Sequence, residues 1–119
     1  MSESPKGRVF RKMADVMTFV VAVAIAYLTL SQIPDGSMPG DWDKAAHAAA
    51  FFALVFPAVL AHRWGFLWMV PLAAAFGWAI EVIQPQFGRG SEVEDFYADL
   101  IGIAAGAFAA TAIRVLRKR

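Results

Sequence analysis

Four apolar runs, separated only by short polar links, leave this chain almost no way to fold as a water-soluble domain. The first, Met13 to Ile33, holds about 21 residues and the third, Phe66 to Gln84, about 19. At 1.5 Å per residue, helices of that length reach about 30 Å, the thickness of a bilayer's hydrocarbon core. The second run extends from Ala45 to Ala61, and the fourth follows Ser91 and continues to Leu116. With 59% hydrophobic and only 18% charged residues over 119 positions, the composition agrees. The expected fold is all-α, an integral membrane four-helix bundle, with helices at approximately 13–33, 43–61, 66–84 and 92–116. No internal repeat or long Gly/Ser/Pro-rich linker occurs, so residues 1–119 read as a single domain.

Local signals mark the ends of these helices. Met1 to Lys12 is a polar, basic segment ahead of the first run. A basic start and an apolar core also describe a secretory leader, but this core exceeds the usual length and no small-x-small cleavage site follows, so a retained helix is expected. Pro34-Asp35-Gly36 stops it with turn chemistry. Asp41 and Asp43 suit the positive dipole end of the second helix, and Pro57 is expected to kink it. His62-Arg63 and Gly65 make the shortest connection, Pro85 ends the third helix, and Ser91-Glu92-Val93-Glu94 has the spacing of a capping box for the fourth.

The net charge of +1 conceals a separation of sign along the chain. Nine of the 11 Lys and Arg lie at the two termini or at Arg63, which four crossings bring to one side of the membrane, while eight of the ten acids fall on the other. Positive residues mark the inner face, so both termini are expected to be cytoplasmic. Trp42 and Trp78 near one interface, and Trp64 and Trp68 near the other, fit aromatic belts. Basic residues at the inner surface suit anionic lipid rather than nucleic acid. With no Cys, disulfide, thiolate nucleophile and thiolate metal site are all excluded.

This topology delivers Asp43, Lys44, His47, Glu81, Gln84, Arg89, Asp95 and Asp99 to the outer end, from three helices and one link. Helical periodicity puts Glu81 and Gln84 on one face, and Asp95, Asp99, Gly102 and Gly106 on one face of the next helix. A single carboxylate at membrane depth is costly, so these groups must meet one another or a ligand. His47, one turn after Asp43, reads either as a general base oriented by a carboxylate or as an interfacial histidine satisfied by it. Arg89, between two glycines and just before a helix N-terminus, reads either as a phosphate or carboxylate contact or as an ion-pair partner of Glu81 or Asp95. Lys44 reads as a snorkelling lysine, with phosphate contact as the alternative. Oxygen-rich Glu81, Asp95 and Asp99 allow Mg²⁺ or Ca²⁺, but nothing in their spacing separates metal binding from mutual salt bridges, and no metal is assigned. Glycines 102 and 106, like Ala74 and Gly77, suit close helix packing. Ser91 is explained by its capping role, which leaves no nucleophile for a Ser/His/Asp triad.

Asp43-Lys44-x-x-His47 before an aromatic pair, Glu81-x-x-Gln84, Arg89, then Asp95 with Gly102-x-x-x-Gly106 resembles the VanZ-like membrane protein family over residues 41–106. This chain has Asp99 where the family's pattern usually has Asn, which adds a negative charge. The resemblance implies a four-helix protein of the bacterial inner membrane, associated in the founding member with low-level teicoplanin resistance. Three functions remain open. An outer pocket recognises an anionic lipid or a lipid-linked envelope precursor, with Arg89 and Lys44 on the anion; or the same pocket is an enzyme acting on a lipid head group, with His47 or Glu81 as base; or the cluster is a polar clasp in a non-catalytic partner or assembly protein. A proton or ion route fits less well, because the inner halves of the helices carry few polar residues. No face of the sequence declares an oligomeric state.

Overall fold

A computed structural model describes residues 4–30, 40–83 and 93–117, and these form four helices: α1 (Pro5–Leu30), α2 (Gly40–Ala61), α3 (Gly65–Ile83) and α4 (Val93–Arg117). Within them, residues 44–61, 65–83 and 94–117 are each long and apolar enough to cross a membrane.

The helix boundaries correct the sequence expectation most at α1, which begins at Pro5 and not near Met13. Ser4 is its N-cap: Gly7 N–H donates to Ser4 Oγ at 3.1 Å, and Arg8 N–H donates to the Ser4 carbonyl at 3.0 Å. Pro5 occupies the first helical position, where a missing N–H costs nothing. Lys and Arg are good helix formers, so polarity was the wrong criterion for where this helix starts. The expected end at Ile33 lies outside the described residues. Helix α2 begins at Gly40, taking positions 41 and 43 into its first turn, α3 spans Gly65–Ile83, and α4 starts at Val93. Gln84, Pro85, Ser91 and Glu92 fall outside the described residues.

Helix α2 is the centre of the bundle. Phe51, Leu54, Val55, Ala58 and Val59 are all nearly inaccessible, and they meet Ile25 of α1, Met69, Ala73 and Ile80 of α3, and Ile103, Ala107 and Ala110 of α4. Its most extensive partner is α4, which runs parallel to it: Ala48 lies against Gly102, Phe52 and Val55 against Gly106, and Leu60 against Arg114. Helices α1 and α3 run the other way; among the described residues α1 does not reach α4, and of the helix pairs that meet, α1 and α3 touch least. Large apolar side chains such as Phe19, Tyr27, Leu72, Ile101 and Phe108 point outward, a distribution that suits lipid contact better than water. Pro57 and Pro71 lie inside α2 and α3, which continue through them. Thr18 Oγ1 of α1 donates to the Leu54 carbonyl at 3.1 Å, next to Ala53, whose carbonyl Pro57 leaves without its usual helical donor.

The C-terminus of α2 shows how orphan carbonyls are satisfied in an apolar setting. The Ala58 carbonyl accepts from His62 N–H at 3.0 Å, and the Leu60 carbonyl accepts from Arg114 Nη1 at 2.7 Å. The second bond crosses from α4 and carries a full charge, so Arg114→Gln is expected to cost about 1–2 kcal/mol. A lower unfolding midpoint in detergent checks this, with exposed Arg117→Gln as the unchanged control.

Candidate functional site

The first turns of α2 and α4 lie side by side because the two helices are parallel. Lys44 and His47, three residues apart on one face of α2, meet Asp95 and Asp99, four apart on one face of α4. His47 Nδ1–H donates to Asp99 Oδ1 at 2.8 Å. An ionised carboxylate only accepts, so with Asp99 ionised Nδ1 carries the proton in this pair. His47 Nε2 faces Asp95 Oδ2 at 3.8 Å, and Lys44 Nζ lies 3.8 Å from Asp95 Oδ1.

Burial grades across this group. The side chain of Asp99 is 2% exposed, those of His47 and Asp95 10% each, and that of Lys44 39%, so Lys44 forms the rim. Helix α3 supplies the third wall. Gly77 sits so close to Asp99 that an added Cβ would lie 3.2 Å from Oδ2. Glu81, also buried, is one turn further along the same face of α3, which places it level with Asp95 because α3 and α4 are antiparallel. Trp78 and Phe96 hold this seam through an edge contact, with ring centroids 5.3 Å apart.

Of the eight site residues expected from the sequence, five are described with their side chains: Lys44, His47, Glu81, Asp95 and Asp99. All five lie at one end of the bundle, on α2, α3 and α4. Asp43 falls in the first turn of α2 with its side chain outside the described set, and Gln84 and Arg89 lie outside the described residues altogether. His47 takes a close carboxylate partner from Asp99 of α4, across the helix seam; the contact with Asp43 expected from the sequence lies outside the described residues. Among the described residues, no group of three or more His, Asp or Glu is placed to hold a metal ion.

A second polar pair escaped the sequence reading. At the opposite end, His62 Nε2 lies 2.7 Å from Asp15 Oδ1, tying the link after α2 to α1. The available signal was Asp15 itself, an acid embedded among Arg8, Arg11 and Lys12, which the antiparallel run of α1 and α2 brings to the level of His62. In chemical terms, the group around His47 is an oriented imidazole with a carboxylate facing each ring nitrogen and a cation at its rim. Comparison with protein-family models, curated proteins and solved structures found no match.

Proposed function

We propose that this chain is a VanZ-like protein of the bacterial inner membrane, with four crossings and both termini cytoplasmic. Its outer polar cluster recognises the anionic head group of a lipid or a lipid-linked envelope precursor. One observation carries the reading: charged side chains from α2 and α4 converge on His47, beside buried Glu81 of α3, at the end of an otherwise apolar bundle. Apolar side chains of similar size would hold the helices at least as well, so such a group calls for a role beyond packing. In this reading Lys44 at the rim and Arg89 of the link between α3 and α4 contact the anion. Asp95, Asp99 and Glu81 hold the cations in place, and His47 couples the two parallel helices.

Head-group binding would bear on envelope composition, which agrees with a teicoplanin-susceptibility effect. Lys44→Ala and Arg89→Ala are each expected to lower retention of an anionic lipid about tenfold, the effect of one charge-assisted hydrogen bond. Mass spectrometry of lipid retained after mild detergent extraction reads this. Unchanged retention in both variants sinks the assignment.

The His47–Asp99 bond favours a second reading, in which the site is an enzyme and Nε2 of His47 moves a proton on a head group. That reading requires turnover. Purified protein incubated with polyprenyl phosphates and phospholipids, with and without Mg²⁺, must then yield a changed lipid, and unaltered lipid throughout removes it.

A further inference from the structure

The end of the bundle opposite His47 carries two adjoining cavities of contrasting character. One, of about 260 Å³, is lined by Arg8, Arg11, Lys12, Asp15 and His62. Positions 8, 11, 12 and 15 share one face of α1, so the cavity is built by a helical stripe closed off by the link after α2. Its three cations outnumber its one carboxylate, and that carboxylate is engaged at 2.7 Å by His62. The other cavity, of about 380 Å³, is almost wholly apolar and runs along the seam between α1 and α3, over α2, past Thr18, Phe19, Ala22, Leu54, Leu72 and Phe76. It exists because α1 and α3, both packed on α2, touch each other only slightly.

The two cavities adjoin. Asp15 lines both, and His62 of the basic cavity packs edge-on against Trp68 of the apolar one, with ring centroids 5.5 Å apart. Passing along α1 from Arg8 to Ala22, the lining therefore changes from cationic to apolar over 14 residues, about 21 Å at helical rise. A molecule matching this gradient has a phosphate at one end and a hydrocarbon chain at the other.

We propose that this is a binding site for an anionic phospholipid, separate from the His47 cluster at the other end of the bundle. The phosphate sits among Arg8, Arg11 and Lys12, and one acyl chain lies in the α1–α3 groove. The cations alone would suit any phosphate. The groove joined to them selects the lipid, because free phosphate has nothing to place there. Charge sets the preference among lipids, since basic side chains at a membrane surface attract anionic head groups over zwitterionic ones.

The test is native mass spectrometry of the purified full-length chain in detergent, titrated with phosphatidylglycerol or with phosphatidylcholine of the same acyl chains. Phosphatidylglycerol should bind roughly tenfold more tightly or better. The variant Arg8→Gln/Arg11→Gln/Lys12→Gln, whose three positions are all exposed, should abolish that preference. Leu72→Trp, which fills the groove from an exposed position, should weaken both lipids. Inorganic phosphate and glycerol phosphate at millimolar concentration should fail to displace the lipid. Equal binding of the two lipids, a preference that survives the triple variant, unchanged affinity in Leu72→Trp, or displacement by inorganic phosphate each overturns the proposal. Lys44→Ala and Arg89→Ala act at the other site, so loss of one lipid per chain in one set of variants and not in the other separates failure here from failure of the outer-pocket reading.

Discussion

Replacing Gly102 with leucine will split the α2–α4 seam and abolish the folded bundle in most of the purified protein. An added Cβ at Gly102 would overlap the backbone carbonyl of Ala48, with the Ala48 carbonyl carbon at 2.8 Å and its Cα at 2.9 Å. These are backbone atoms of a helix and have no rotamer to escape into, so the two helices must separate. A radial gap of about 0.5–1 Å forfeits a quarter to a half of each dispersion contact across the seam. Even Gly102→Ala is expected to cost about 2–3 kcal/mol, the upper part of the range for overpacking, and leucine more. For a domain of this size that lowers the unfolding midpoint by roughly 10 °C. Ala105→Leu, at an exposed position on the same helix, is the control and should move the midpoint little. The effect reaches the site directly, because Ala48 adjoins His47 in sequence. Pushing α2 away at Gly102 stretches the 2.8 Å His47–Asp99 bond. Thermal unfolding in detergent, read beside lipid retention, should show both quantities falling together; a stable Gly102→Leu protein would mean that the seam is not packed as described.

The second large effect is a rescue. His47→Leu alone removes the hydrogen-bond partner that Nδ1 gives to Asp99, a carboxylate whose side chain is 2% exposed. Removing one member of a buried charged pair costs about 3–5 kcal/mol, whereas replacing both by apolar side chains is often neutral. The double variant His47→Leu/Asp99→Leu is therefore expected to be more stable than His47→Leu, with a coupling energy of about 2 kcal/mol or more between the two positions. Asp99→Asn should fall between, since its amide oxygen still accepts from Nδ1 but without charge assistance. Unfolding midpoints for the four-member cycle supply the measurement, and additive single effects would remove the pair from any role in stability. The double variant also separates function from packing. If it folds and retains the proposed head-group ligand, the His47 cluster is a clasp; if it folds and releases that ligand, His47 and Asp99 serve the site.

Residue patterns carried much of this architecture, and the reasons differ from element to element. The number of helices was legible because each apolar run is bounded by turn chemistry, as at His62 to Gly65. The common face of Asp95, Asp99, Gly102 and Gly106 was legible because helical period alone fixes it, and all four are buried. The start of α1 was missed because Ser4 and Pro5, an ordinary capping pair, were outweighed by the charge of Lys6 to Lys12. The pairing of His47 with Asp99 was not legible for another reason. Asp43 is local and Asp99 is not, and no periodicity within one helix reports which neighbour lies beside it. The same holds for Thr18 with Leu54, Arg114 with Leu60 and Asp15 with His62, each of which depends on how helices far apart in sequence are set in register.

That α2 pairs chiefly with α4, and runs in the same direction, fixes the order in which the molecule can be completed. The ribosome releases α2 long before α4. Throughout that interval the backbone near Ala48 and the imidazole of His47 face whatever the translocation machinery or the bilayer offers. Only α4 brings the glycines and aspartates that fit them, so the charged end stays incomplete until α4 has emerged, and a nascent chain halted before residue 95 has α1 to α3 and no such cluster.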